Sequence, residues 1–142
     1  IMIYGTFVFG YDFDTIDSFD RTLEFAVESK FTIANFNPLM TMPGTQLYKR
    51  LLKDNRLIYD KWWLNENYKY GDTMFYPKNM SPEELKEACI KARLGFYKYS
   101  SIFKRMMHMK ANSKNINNMI THLIFNFVSR KEIIAKQSSK LG

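Results

Sequence analysis

An α/β fold with parallel strands is the class this sequence predicts, running strand, helix, strand, helix and then into a C-terminal helical hairpin. Two observations carry it. Short apolar, β-branched runs at Ile1–Phe9 and Phe31–Asn37 flank a segment with helical periodicity. Further on, Ser81-Pro82-Glu83-Glu84 opens a long apolar stripe with the chemistry of a helix start.

The first run, IMIYGTFVF, is almost continuously apolar until Gly10, which is how a strand buried on both faces of a parallel sheet reads. The chain enters this strand with no preceding turn or cap, so it is expected to be a segment of a longer protein. Asp14 or Thr15 is placed to cap the next helix, and Asp17 suits its positive end. Ile16, Phe19, Leu23 and Val27 form one stripe over residues 15–29. Phe31–Asn37 is the second strand, stopped by Pro38. A βαβ unit of this length requires parallel strands. Pro43-Gly44 makes a turn into a short helix over residues 46–53.

Residues 57–71 hold Trp62, Trp63, Tyr59, Tyr68 and Tyr70 without a clean period. They are expected to be an ordered aromatic excursion, serving either as packing or as a substrate wall. Thr73–Tyr76 predicts a small extra strand. Behind the capping box, Leu85, Cys89, Ala92, Phe96, Tyr99, Phe103 and Met106 alternate spacings of four and three, so one helix is expected to reach about Met109. Ile116, Met119, Ile120, Leu123 and Phe127 mark a second helix, with a polar, frayed tail after Arg130. Together they predict an antiparallel hairpin. The expected organisation is residues 1–58, 59–80 as connector, and 81–142.

The 142 residues suffice for one core but not for a complete eight-stranded barrel. No apolar run approaches the roughly 20 residues of a membrane span. One cysteine excludes an internal disulfide and predicts a reducing, cytoplasmic setting. With only His108 and His122 beside it, a self-contained metal site is not expected, and Cys89 reads as a buried apolar side chain. Charge is uneven, with 9 Lys/Arg against 10 Asp/Glu before Ser81 and 12 against 4 from there on. The basic half reads first as a solvated helix face, and second as a surface for nucleic acid, anionic membrane or a protein. No aromatic–basic interleaving supports nucleic acid.

Gly10 ends a strand that leads into a helix, where open α/β folds place ligands. Asp12, Asp14 and Asp17 argue against a phosphate there. Val8-Phe9-Gly10 with Asp14-Thr15, then Asn35-Phe36-Asn37 with Pro43-Gly44-Thr45-Gln46-Leu47-Tyr48, resemble the fifth and sixth strands of radical S-adenosylmethionine (radical SAM) enzymes. Tyr76 to Leu85 resembles the junction to the helical extension of members with a cobalamin-binding domain. The resemblance covers about Gly5 to Arg105.

That resemblance implies a fragment of a partial (β/α)6 TIM-like barrel plus a helical extension. It implies a parent enzyme, methyltransferase- or oxidoreductase-like, that cleaves S-adenosylmethionine at a [4Fe–4S] cluster to modify an unactivated carbon. Val8 and Gly10 would line one side of the adenine, and Phe36 and Asn37 the other. The family's CxxxCxxC loop is absent, so the fragment alone is expected to hold neither cluster nor cobalamin and to be inactive. Its partners would be the rest of the parent chain and a small-molecule substrate, and its uncovered edge at Ile1–Phe9 would favour self-association. The other class kept open is a stand-alone α/β module with a basic hairpin.

Overall fold

In the computed structural model, residues 1–136 are described. Two strands, β1 (Tyr4–Phe9) and β2 (Ile33–Pro38), pair in parallel from Tyr4↔Ile33 to Phe9↔Pro38. Helix α1 (Ile16–Glu28) connects them, and α2 (Gln46–Lys53) follows β2. Three more helices, α3 (Pro82–Phe96), α4 (Tyr99–Met106) and α5 (Ile116–Lys136), complete the α/β fold.

The ends form where the side chains dictate. Thr15 caps α1, its N–H donating to Ser18 Oγ at 3.1 Å. Thr45 caps α2 by accepting from the Tyr48 N–H. The Ser81 capping box closes in both directions, Ser81 N–H to Glu84 Oε2 at 2.7 Å and Glu84 N–H to Ser81 Oγ at 3.0 Å. Residues 57–71 are an irregular segment with one 3₁₀ turn at Trp62–Leu64. The expected strand at Thr73–Tyr76 shrinks to a bridge, Leu57↔Phe75, because it pairs with the chain leaving α2 rather than with the sheet.

One face of the sheet carries Phe7, Phe9, Ala34 and Phe36 into a core shared with Phe19 and Ala26 of α1 and Leu85, Cys89, Ala92 and Phe96 of α3. The other face presents Tyr4, Thr6, Val8, Asn35 and Asn37, with Val8 39% exposed. The expectation of a strand buried on both faces is thus corrected: the described residues cover β1 on one side only.

The single long helix is corrected too. It breaks at Tyr97–Lys98, between α3 and α4. Tyr97 turns inward there, its hydroxyl donating to Ala34 O at 3.1 Å and accepting from Ala34 N–H at 3.3 Å. The break shifts the phase, so Ile102 and Arg105 are buried while Tyr99 and Phe103 are exposed. The tail expected after Arg130 remains helical to Lys136, and beyond that it lies outside the described residues. On α5 the buried side chains are polar, His122 and Asn126.

Those two belong to a buried network around the start of β2. Asn126 Nδ2 donates to Thr32 O at 3.0 Å and to His122 O at 2.7 Å. Thr32 Oγ1 donates to Asn112 Oδ1 at 2.6 Å, whose amide holds Lys30 O and Arg105 O. His122 Nε2 lies 3.2 Å from Ile102 O, which fixes the neutral tautomer with its proton on that nitrogen. Its other nitrogen faces the Asn126 amide donor at 3.5 Å. Burial, first, and the nearby Arg105 charge hold its pKa below the ordinary histidine value, outweighing the carbonyl contact. The unfolded chain therefore takes up a proton near the ordinary value of about 6.5 while the folded chain resists it. Stability is expected to fall as pH drops from 7 through that value. In His122→Gln the fall should flatten; melting curves from pH 7.5 to 5 check this, and an identical slope in both proteins would show that His122 is not the group responsible.

Candidate functional site

The two strands end side by side at Phe9 and Pro38, where Leu39 N–H still donates to Phe9 O at 2.7 Å. The loops that follow, residues 10–15 and 39–45, meet above these ends. Gly10 has φ +108°, and a Cβ there would stand 2.9 Å from Leu85 Cδ2, so backbone sign and space both demand glycine. The N–H groups of Gly10 and Tyr11 are already engaged, each donating to Asp14 Oδ2 at 2.9 Å. Asn79 Nδ2 ties the same loop down through Asp12 O at 3.0 Å and Asp14 O at 3.1 Å. Asp12 is ringed by Arg56 at 3.0 Å, Lys78 at 3.1 Å and Arg50 at 3.7 Å. The Arg56 hydrogen bond, above all, draws its pKa below the usual carboxylate value. The acidic residues of this loop are therefore structural clamps.

Beside the strand ends lies a cavity of 540 Å³, walled by Val8, Asn37, Leu39, Met40, Tyr68 and Arg93 among others. The aromatic segment forms its far wall. Trp62 fixes that segment by donating from Nε1 to Thr41 O at 2.9 Å, and its ring packs on Tyr68 at 5.3 Å. Tyr68 is buried, and burial, followed by the Asp72 charge, pushes its pKa up to about 12, so it stays a neutral phenol.

Of the four residues singled out from the sequence, Val8 and Asn37 come together on this cavity. Gly10 sits at the end of β1 against Leu85 and Phe75 and is not part of the wall. Phe36 is on the opposite face, fully buried, stacked on Phe7 at 5.2 Å. Cys89 is buried in the core as expected, and burial pushes its thiol up to about 12. Among the described residues no group of three His, Cys, Asp or Glu is placed to hold a metal ion.

Sequence reasoning missed the side chains that finish the outer edge of β2. A parallel strand paired on one side leaves every second residue's N–H and C=O pointing away from the partner. Here helices supply the missing partners from side chains. Arg93 Nε donates to Phe36 O at 2.7 Å and Tyr97 serves both groups of Ala34. Arg105 Nη1 donates to Thr32 O at 3.0 Å. Arg130 likewise turns inward, to Tyr97 O at 3.1 Å. The solvated basic face read from composition is corrected at these three arginines. A signal was present: arginines among apolar stripe positions, rather than lysines, suit forked bonds to carbonyls.

Over 112 residues, 79% of this chain, it is 36% identical to a bacteriochlorophyllide d C-12(1)-methyltransferase of Chlorobaculum tepidum, of which 24% is covered. Over 93 residues, 66% of the chain, it is 26% identical to an uncharacterized methyltransferase of Pyrococcus horikoshii, of which 20% is covered. The chain thus spans about a quarter or less of the curated relatives it matches. No solved structure matches it. No helix among the described residues is long and apolar enough to cross a membrane. A family described as a domain of unknown function (DUF4070) matches residues 45–137, well over half of the sequence, and the chain belongs to that family.

Proposed function

We propose that this chain is the C-terminal part of a radical SAM methyltransferase of the type that carries a cobalamin-binding domain. The observation that carries the proposal is the similarity to a methyltransferase across 79% of the chain. The radical SAM assignment rests on the order of Val8-Phe9-Gly10, Asp14-Thr15, Asn35-Phe36-Asn37 and Pro43-Gly44-Thr45 along one chain. The geometry is compatible with it. The polar face of the β1–β2 sheet would look into a barrel, and the edge of β1 would pair with a preceding strand of the parent. The edge of β2 is finished by side chains, as suits the last strand of an open barrel. Residues 1–58 would be the closing βα units, 59–80 the connector and 81–142 the extension.

In this arrangement Val8 and Asn37 form part of the wall against which the adenine of S-adenosylmethionine rests. Gly10 shapes the loop beside it, and Phe36 supports β2 from below. The cluster does not fit the residues present. Its thiolates cannot come from Cys89, which is buried, protonated and alone. They must be supplied by the parent, and so must any cobalamin site. When bound, these groups supply radical cleavage and methyl transfer; this chain orients and encloses.

The coding frame upstream of Ile1 tests the proposal. A CxxxCxxC motif in the same frame is expected, and an unrelated domain there would overturn it. Alongside, the 142-residue chain treated anaerobically with iron and sulfide is expected to retain no stoichiometric iron. Stable iron near about four atoms per chain would refute the division of labour described.

A further inference from the structure

Arg93 stands where two cavities meet. It lines the largely apolar space beside Val8, Leu39, Met40 and Tyr68, and also a polar groove of 220 Å³ that runs on past Tyr97 to Glu132 of α5. Its guanidinium is held from one side by two forked bonds, Nε to Phe36 O at 2.7 Å and Nη2 to Asn37 Oδ1 at 2.9 Å. Both acceptors are uncharged. None of the ion pairs among the described residues involves Arg93, and the carboxylate in the groove, Glu132, is paired with Lys136 at 3.1 Å. A half-buried, permanently charged group is thus oriented by neutral oxygens, with its Nη1 donors uncommitted, at the rim of an apolar chamber.

An arginine needed only to finish the β2 edge would do so as well with a carboxylate beside it, which would cancel its charge. Its absence leaves an electrostatic demand that a ligand can meet. From the geometry we infer that this site binds an apolar or aromatic substrate through a carboxylate, the acid group meeting Arg93 and the body lying among Leu39, Met40 and Tyr68, beside the Val8–Asn37 wall given to the adenine. Tyr70, shared by both cavities, and Asn37 border the point of contact. The inference deepens the proposed function by giving the substrate's chemical class, and it rests on that proposal only in calling the ligand a substrate. A charge-assisted guanidinium–carboxylate bond in a partly desolvated site is of the strong kind, so the acid should bind about tenfold tighter than an uncharged analogue, a difference of about 1.4 kcal/mol.

Fluorescence titration of the 142-residue chain with 1-pyrenebutyrate and with 1-pyrenebutanol tests this directly. The expected result is about a tenfold preference for the acid, lost in Arg93→Met while the alcohol's binding is kept. Met40→Trp, which fills the chamber without touching the guanidinium, should weaken both probes. Equal binding of acid and alcohol by the native chain would overturn the inference, and that comparison decides it even if Arg93→Met fails to fold. Displacement of the acid by S-adenosylmethionine would assign the carboxylate to the cofactor and overturn it as well. None of these outcomes depends on the upstream frame, so failure here and failure of the proposed function are told apart.

Discussion

Arg105→Met is expected to lower the unfolding free energy by about 3–5 kcal/mol, because it withdraws a hydrogen bond from four acceptors at once. Arg105 is 0% exposed although it is the most polar side chain in the core. Nη1 donates to Phe31 O at 2.8 Å and Thr32 O at 3.0 Å. Nη2 donates to Phe96 O at 2.9 Å and Asn126 Oδ1 at 2.8 Å. The plane of the group lies over the Phe96 ring, 3.7 Å from its centre. Among the described residues no carboxylate pairs with it. The charge is solvated by backbone dipoles, and burial lowers its pKa only to about 10, so it remains ionised at neutral pH. Methionine fills the volume but donates nothing, and Thr32 O keeps only its bond from Asn126. Arg105→Lys should lose nearly as much, since a single ammonium with a shorter reach than the guanidinium fork cannot serve the β2 edge, α3 and α5 together. Urea unfolding of both variants measures this, and a loss under about 1 kcal/mol for Arg105→Met would mean the network is not a stabilising unit.

The strands, α1 and the start of α3 were legible because local chemistry and burial agree there. Ser81 to Glu84 forms its box whatever packs against it. The stripe from Leu85 to Phe96 faces one sheet. What failed was the continuation. Nothing local marks Tyr97 as a helix end; it ends α3 because its hydroxyl has a tertiary task, the unpaired N–H and C=O of Ala34, 63 residues earlier. The consequences of that break, Phe103 outward and Arg105 inward, are equally invisible to periodicity. Asn112, His122 and Asn126 lie outside every apolar stripe, yet they are buried because the turn after α1 and the first residues of β2 leave carbonyls that need donors. At the candidate site, Val8 and Asn37 were named through the resemblance to the radical SAM strands, two of whose four carried-over residues meet on the cavity. Arg93 could not, since its role depends on α3 crossing the edge of β2.

Phe36→Ala should cost about 3–5 kcal/mol, whereas Phe103→Ala should cost under about 1 kcal/mol, although a heptad reading would rank Phe103 with the core. Phe36 is fully buried and central to an aromatic stack. Its ring lies 5.2 Å from Phe7, 6.3 Å from Phe9 and 5.9 Å from Phe96. Truncation removes contacts to β1 and α3 together, in a place walled by rigid rings that cannot close over the void. Phe103 is 47% exposed on α4 and loses little that water did not already share. The two sites also differ in reach. Phe36 holds β2 against α3, and the same residue's carbonyl anchors Arg93, so the void should loosen the guanidinium and erode the acid preference expected for the cavity. Phe103→Ala should leave that preference intact. Denaturation and probe titration of the two variants side by side decide the matter. Similar losses of stability for both would return Phe103 to the core and discard the phase shift at Tyr97.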